Sequence, residues 1–148
     1  MKIKVAWIGK TKNAAIQSLS DEYLQRIAHY AEVEGVALKD ESALLNLSNA
    51  KSHTRTKHML VLLDSKGKQM SSEELAKFLS EHQQRDPAPL LFAVGPASGF
   101  TDATRQAATV ALSLGKMTLA HELARVVLLE QLYRAFTILN RHPYHLAH

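Results

Sequence analysis

The chain has 148 residues, of which 46% are hydrophobic, and it contains no cysteine. That length allows one domain with a hydrophobic core, and the lack of cysteine excludes disulfides and thiolate metal sites. A net charge of +4 is compatible with binding a polyanion but does not require it. No stretch is apolar enough to span a bilayer and no signal peptide is evident, so we expect one cytoplasmic domain over residues 1–148.

The first forty residues predict a strand, a helix and a second strand. Apolar and polar residues alternate over residues 2–7, as in a half-buried strand. A weaker strand, interrupted by Gly35, is expected at about 33–38. Between them, spacings of three and four predict an amphipathic helix over residues 14–31, with an apolar stripe formed by Ile16, Leu19, Tyr23, Ile27 and Tyr30.

The next segment is irregular and then becomes strongly apolar. Ser42 could cap a short helix over residues 43–47, whereas residues 48–57 are polar and typical of a loop. The apolar run from Met59 to Leu63, which ends at Asp64, is typical of a strand buried on both faces, as in a parallel sheet.

Helix signals and apolar runs alternate through the rest of the chain. Ser71 followed by Glu74 forms a capping box, which predicts a helix that turns Leu75, Phe78 and Leu79 inward. Thr101 can cap a helix over residues 102–109. Strands are expected at 90–94 and 111–114, and a last helix at about 120–140. This alternation predicts an α/β fold with a mostly parallel sheet flanked by helices.

Three loops that follow strands are candidates for a ligand site, because open parallel sheets bind ligands beyond the carboxyl ends of their strands. They are Leu63-Asp64, the loop from Gly95 to Gly99, and the loop from Leu114 to Leu119. Each alone is weak evidence and could be a plain turn. No dinucleotide or Walker-type glycine motif is present, which disfavours redox cofactors and nucleoside triphosphates.

The C-terminal third concentrates basic and imidazole groups. Its histidines have no acidic or cysteine partner at metal-binding spacing, so we expect no metal site. Glu130 and Arg134 are spaced for an ion pair on the last helix. Tyr133, Tyr144 and their basic neighbours could instead stack on RNA bases and bind phosphates. The sequence leaves both interpretations open.

Longer strings in this region carry a family resemblance. RVVLLEQLYRAFTI followed by HPYH, preceded by LSLGKMTLAHE, resembles the RlmH family of SPOUT-class rRNA pseudouridine methyltransferases. The likeness covers essentially the whole chain, including the opening KIKVAWIGK. It implies a SPOUT methyltransferase fold with a C-terminal deep trefoil knot, a rare exception to unknotted topology. It also implies a homodimer whose RNA site is shared between subunits.

The resemblance further implies a cofactor, a reaction and site residues. The reaction is methylation of N3 of a pseudouridine in helix 69 of 23S rRNA, on the large subunit or ribosome, without a metal. The candidate catalytic residues are His121, Arg125 and Arg134. The candidates for RNA binding are Arg141, His142, Tyr144 and His145. S-adenosylmethionine would be held by Leu63, Gly95, Leu114, Gly115, Lys116, Met117, Thr118 and Leu119.

The chain departs from the family pattern at three places. Gly95 is followed by Pro96, which has no amide hydrogen, where family members usually have a second glycine. Residues 48–57 are shorter and less acidic than the usual insert, and Leu146-Ala147-His148 extends the usual end. Two alternatives therefore stay open: a SPOUT methyltransferase that acts on another RNA such as tRNA, and a non-catalytic rRNA-binding assembly factor.

Overall fold

The computed structural model describes residues 1–49, 57–86 and 88–147. Most of the loop expected at 48–57 therefore lies outside the described residues. Strands and helices alternate as far as β5, and two helices follow. The elements are β1 (Lys2–Ile8), α1 (Ala14–Ile27), β2 (Glu32–Leu38), α2 (Glu41–Asn49), β3 (Met59–Gln69), α3 (Ser72–Arg85), β4 (Leu90–Val94), α4 (Asp102–Ala107), β5 (Val110–Ser113), α5 (His121–Leu139) and α6 (Tyr144–Ala147).

The strands form one parallel sheet in the order β2-β1-β4-β3-β5. The expected α/β class with a parallel sheet is confirmed. In the centre of the sheet, Val5 pairs with both Gly35 and Phe92. Because all strands run in one direction, their carboxyl ends point to the same edge, and the middle of β3 lies there beside the loops that follow β4 and β5.

Helices cover both faces of the sheet, and each face has its own apolar core. Alternate strand residues such as Phe92 and Val61 pack against α3 and α5, and α5 also packs on α1. The intervening residues, such as Leu62, pack with Leu44 of α2 and Phe100. Each fully buried leucine contributes about 2 kcal/mol. α5 buries Leu128, Leu129 and Leu132 completely, so it is fixed firmly on the sheet.

Strand β3 is longer than the sequence indicates. Its expected end at Asp64 is wrong, because pairing with β5 resumes at Lys68 after a shift in register. Leu63 and Lys68 both stand opposite Leu112. Gly67 makes this possible, since a Cβ there would lie 2.6 Å from the carbonyl carbon of Ala111. The extra segment is polar and exposed, so no apolar pattern marks it.

Helix boundaries are otherwise close to expectation, with two corrections. α2 is capped by Asp40 rather than Ser42, because Asp40 Oδ1 accepts a hydrogen bond of 2.9 Å from the Ala43 amide. α1 ends at Ile27, so Tyr30 lies beyond the helix, and Leu19 of the expected apolar stripe is exposed.

The other two predicted helix caps, Ser71 and Thr101, are present. The capping box of α3 is formed by Ser71 and Glu74. Thr101 caps α4, accepting from the Thr104 amide at 3.4 Å, although α4 is two residues shorter than expected. Leu75 and Leu79 are buried as expected, whereas Phe78 is only half-buried.

A reversed turn ends α5 and directs the tail back onto it. The His142 amide donates to the Thr137 carbonyl at 2.9 Å, and the Arg141 amide donates to Ile138 at 3.2 Å, which together form a Schellman motif. Arg141 occupies its left-handed position, with φ of 56°. In the described part of the chain, no helix is long and apolar enough to cross a membrane.

Candidate cofactor cleft and C-terminal cluster

The bulged middle of β3, at residues 63–65, and the loops that follow β4 and β5 surround a cleft of about 550 Å³. Seven of the eight residues predicted to bind the cofactor line it: Leu63, Gly95, Leu114, Gly115, Met117, Thr118 and Leu119. The eighth, Lys116, is exposed and does not line the cleft. His121, the first residue of α5, also faces this space. The structure therefore brings the three candidate loops together, and their role in binding stays a prediction.

Pro96 lies in the cleft wall as part of a tight turn. Its carbonyl accepts a hydrogen bond of 2.9 Å from the Gly99 amide, and Gly99 has a φ of +82°, which favours glycine. The missing amide hydrogen of Pro96 thus leaves the turn intact. Any cofactor contact in this loop must use other backbone groups.

One ion pair stands in the cleft lining. Asp64 Oδ2 accepts a hydrogen bond of 2.8 Å from Arg105 Nε, and Asp64 Oδ1 accepts one of 3.0 Å from the Lys66 amide. These interactions, first that of the Lys66 amide, lower the pKa of the Asp64 carboxyl although burial opposes them. The pair joins the middle of β3 to α4. No local motif in the sequence marks Arg105 for this role.

Arg125 lies inside the chain rather than in the cleft. Its side chain is 1% exposed, with the guanidinium carbon 4.1 Å from the centre of the Trp7 ring. Nη1 donates to Thr11 Oγ1 at 2.5 Å, and Nε has no partner in the described residues. Burial lowers the pKa of Arg125, with a smaller opposing effect of Glu122. The geometry shows a packing role, and the catalytic role of Arg125 stays a prediction.

A second group of functional candidates, the C-terminal cluster, consists of Glu73, Glu130, Arg134, Tyr144 and His145. The expected pair of Glu130 and Arg134 is confirmed, at 2.7 Å. Tyr144 Oη donates to Glu130 Oε1 at 3.3 Å, and the Arg134 guanidinium lies 4.9 Å from the Tyr144 ring centre. His145 bridges Arg134 and Glu73, at 3.0 and 2.8 Å. The tail is therefore docked by side chains of its own chain.

The hydrogen bonds of the C-terminal cluster assign donor and acceptor roles to its side chains. A guanidinium only donates, so Nδ1 of His145 accepts from Arg134, and Nε2 donates to Glu73. Both ring nitrogens of His145 are thus engaged. Burial, together with Tyr23 and Glu130, raises the pKa of Tyr144. Tyr144 is therefore a hydrogen-bond donor at neutral pH.

The cleft lies at the start of α5, whereas the C-terminal cluster lies along the helix from its middle onward. The helix has 19 residues, which corresponds to about 27 Å between His121 and Leu139. The other two RNA candidates, Arg141 and His142, are exposed at the far end. Within the described ranges, no group of three or more His, Asp or Glu side chains could hold a metal ion.

The fold and the cleft indicate a class of protein, and comparison of the sequence with known families confirms that class. The family model described as "Predicted SPOUT methyltransferase" matches residues 1–145, and the chain belongs to this family. A protein of Koribacter versatilis named ribosomal RNA large subunit methyltransferase H is 54% identical over 148 residues, with 100% of both chains covered. A protein of the same name from Geobacter sp. (strain M21) is 41% identical, with 98% of this chain and 99% of that protein covered.

Solved structures confirm the fold. The SpoU methyltransferase AviRb from Streptomyces viridochromogenes, solved in complex with AdoMet, superposes with a TM-score of 0.57 at 15% identity. The match covers 90% of this chain and 57% of that one. A probable methyltransferase from Bordetella pertussis gives a TM-score of 0.57 at 11% identity, and covers 91% and 94% of the two chains. The SPOUT fold expected from the resemblance is therefore confirmed.

Proposed function

We propose that this protein is an S-adenosylmethionine-dependent methyltransferase of large-subunit ribosomal RNA. Its substrate position is N3 of a pseudouridine in helix 69 of 23S rRNA, within the large subunit or the ribosome in the cytoplasm. The observation that carries this proposal is the full-length identity of 54% to a relative named for that RNA, joined to a cleft formed by the three expected loops. The deep trefoil knot stays a prediction of family membership.

The cleft fits the proposed cofactor in size and chemistry. Its volume of about 550 Å³ lies within the usual range for ligand pockets. Leu63, Val94 and Leu114 supply apolar walls for an adenosine group, and loop backbone groups supply hydrogen bonds. S-adenosylmethionine provides, when bound, a methyl group on a positively charged sulfur that is already a strong electrophile. The chain must then position RNA and help the imide N3–H lose its proton.

The observed contacts favour different tasks for the candidate residues. His121 lines the cleft and makes no hydrogen bond to other described residues, so we assign it as the acceptor of the N3 proton. Arg134 is a cation at neutral pH, and its hydrogen bond to Glu130 raises its pKa further, so it is suited to stabilise the imide anion. His145 has both ring nitrogens engaged, so it orients Arg134 rather than accepting the proton.

The distance between the two candidate regions supports a shared site. Arg134, the cation of the C-terminal cluster, lies about 20 Å along α5 from His121, which is too far to act in the cleft of its own chain. Met117, Leu119 and Leu123 are exposed apolar residues beside the cleft, and Met117 is 85% exposed. Such apolar residues are typical of an interface. We therefore propose a homodimer in which each cleft is completed by the C-terminal cluster of the other subunit.

Mixed dimers test this arrangement directly. One variant lacks residues 140–148, and the other, Thr118→Trp, fills the cleft; each alone should be inactive. Random mixing gives half mixed dimers, each with one complete site of two, so about a quarter of wild-type methyl transfer should return. No recovery, with mixed dimers verified by mass, would contradict a shared site.

The two alternatives are separated by cofactor binding and by the RNA product. Calorimetric titration of the wild-type protein with S-adenosylmethionine should show binding, whereas none would favour the assembly factor. The 23S rRNA of a deletion strain should lack N3-methylated pseudouridine, and the gene should restore it. An unchanged 23S nucleoside profile would favour an enzyme that acts on another RNA such as tRNA.

A further inference from the structure

The ion pair of Asp64 and Arg105 has no part in the function proposed above, although it stands in the cleft. Among the residues that line the cleft, these two carry formal charges, whereas the others are apolar or neutral apart from the His121 imidazole. Asp64 is 9% exposed at its side chain and Arg105 is 38% exposed. Arg105 thus extends from the surface into the cleft, where Asp64 holds it.

The hydrogen bonds of Arg105 leave one end of its guanidinium available. Nε donates to Asp64 at 2.8 Å and Nη1 donates to Asp102 at 3.4 Å, whereas no bond in the described part of the chain uses Nη2. Nη2 lies on the side of Gly99, 3.9 Å from where a Cβ on that residue would stand. Gly99 belongs to the cleft wall, so two N–H donors remain on that side.

The charges of the pair suit a ligand that carries both signs. The amino acid end of S-adenosylmethionine has a carboxylate and an ammonium group, and the sulfur bears a further positive charge. A lone arginine would attract the carboxylate but repel the sulfonium. An arginine neutralised by Asp64 keeps the short-range hydrogen bonds of a guanidinium without a net positive charge in the cleft.

We infer that Arg105, oriented by Asp64, binds the carboxylate of S-adenosylmethionine. The inference rests on the proposed function, because it takes that cofactor as the ligand. An RNA phosphate is the other anion that could reach Arg105. The carboxylate is favoured because Asp64 neutralises the arginine and tethers it into the cleft, which weakens its long-range attraction for a polyanion.

The test compares two ligands that differ in the carboxylate. Calorimetric titration is carried out with S-adenosylmethionine and with its decarboxylated form, which keeps the sulfonium and the amine. For Arg105→Ala, the affinity for S-adenosylmethionine should fall about 10-fold to 100-fold, as for loss of a charged hydrogen bond. The affinity for the decarboxylated form should change less than about 2-fold. Asp64→Asn should show a smaller loss with the same selectivity.

Arg26→Ala is the matched control, since Arg26 is 39% exposed and paired with Glu22 on α1, away from the cleft lining. It should bind both ligands as the wild type does. Equal losses for both ligands in Arg105→Ala would mean a structural tie and would overturn the inference. The inference would also be overturned if Arg105→Ala kept its affinity for the cofactor but bound helix 69 of 23S rRNA more weakly. Failure of the wild type to bind either ligand would instead count against the proposed function.

Discussion

The cleft and the C-terminal cluster are constructed differently, although one helix joins them. The cleft is lined by the bulged middle of β3 and by two short loops at one edge of the sheet, with glycines in its wall and the ion pair of Asp64 and Arg105. The C-terminal cluster consists of polar side chains that satisfy one another, with His145 held between Arg134 and Glu73. The cleft of a single chain is open to a ligand. The side chains of the C-terminal cluster are already paired with one another, so we expect this cluster to act on a molecule outside its own chain.

If the proposed function is correct, this difference should separate affinity for the cofactor from catalysis. Loop backbone is positioned by the sheet, so the cleft depends on strand register and on the packing of α5. The C-terminal cluster depends on a turn after α5 and on exposed partners such as Glu73. Changes at the tail should therefore alter methyl transfer, and changes near the sheet should alter folding or cofactor binding.

The largest effect is expected from truncation after Leu139. Loss of Tyr144 and His145 should lower methyl transfer at least about 100-fold, because the substrate-side groups are removed. Cofactor affinity should stay within about 3-fold, since the cleft contains no tail residue. An assay of methyl transfer to ribosomal subunits measures the first effect, and calorimetric titration with S-adenosylmethionine measures the second. Equal losses of both would show that the tail also closes the cleft, and the double variant Tyr144→Phe, His145→Ala controls for fraying of α5.

Arg125, between the two regions, tests whether packing or catalysis dominates there. Arg125→Ala should destabilise the fold by about 2–4 kcal/mol, because it leaves a cavity and removes the contact with Trp7. Arg125→Met should cost about 1 kcal/mol or less, since it refills the space without a buried charge. Urea unfolding followed by fluorescence of Trp7, the single tryptophan, measures both. Full stability of the alanine variant with lost methyl transfer would support the catalytic role instead.

Gly67 tests the side of the cleft formed by β3. Gly67→Ala places a Cβ 2.6 Å from the backbone of Ala111, which cannot move without disturbing the pairing of β3 and β5. Destabilisation of about 1–3 kcal/mol is expected in urea unfolding. Lys66→Ala, at the neighbouring exposed position, should change stability by less than about 0.5 kcal/mol. A tolerated alanine at position 67 would mean that the register shift is not required.

Local sequence patterns predicted the strands around the cleft, but they did not predict the full length of β3 or the polar contacts beside it. Apolar runs such as 59–63 and 90–94 predict the strands, and the parallel order places the loops that follow them at one edge. The polar end of β3 was missed because its pairing uses backbone groups, which leave no apolar period. Asp40 was missed as a cap because Ser42, two residues later, is also a favoured capping residue. Arg105 was missed as the partner of Asp64 because the two residues are 41 positions apart in the sequence.

The tail was predicted less completely, for a different reason. The spacing of Glu130 and Arg134 indicates their ion pair, since both lie on one helix. Glu73 and Tyr23 come from other helices, and no sequence spacing relates them to His145 and Tyr144. Contacts between distant segments follow from the packing of α1, α3 and α5. The family resemblance named the tail residues without indicating these partners.

Acid stability tests the ion pair in the cleft. The pKa of Asp64 is lowered in the fold by the Lys66 amide and by Arg105, against the effect of burial. A carboxyl with a lowered pKa contributes stability above its unfolded pKa of about 3.9, and loses it as the pH falls through the folded value. The wild type should therefore lose stability more steeply than Asp64→Asn between about pH 5 and pH 3. Parallel curves would mean that the pair contributes nothing to folding.

The smallest effect is expected from substitution of Arg141. It tests whether RNA affinity and cofactor affinity depend separately on the tail and on the cleft. Its backbone is left-handed, with φ of 56°, in the turn that ends α5. Arg141→Gly should remove the steric cost of the side chain there and raise stability by up to about 1 kcal/mol. If Arg141 contacts RNA, the same change should lower RNA affinity and reduce the salt slope by about one, with cofactor affinity unchanged. Arg141→Asn, which also tolerates this conformation, separates the loss of charge from the gain in backbone freedom. A variant that gains stability and keeps its RNA affinity would confine Arg141 to shaping the turn.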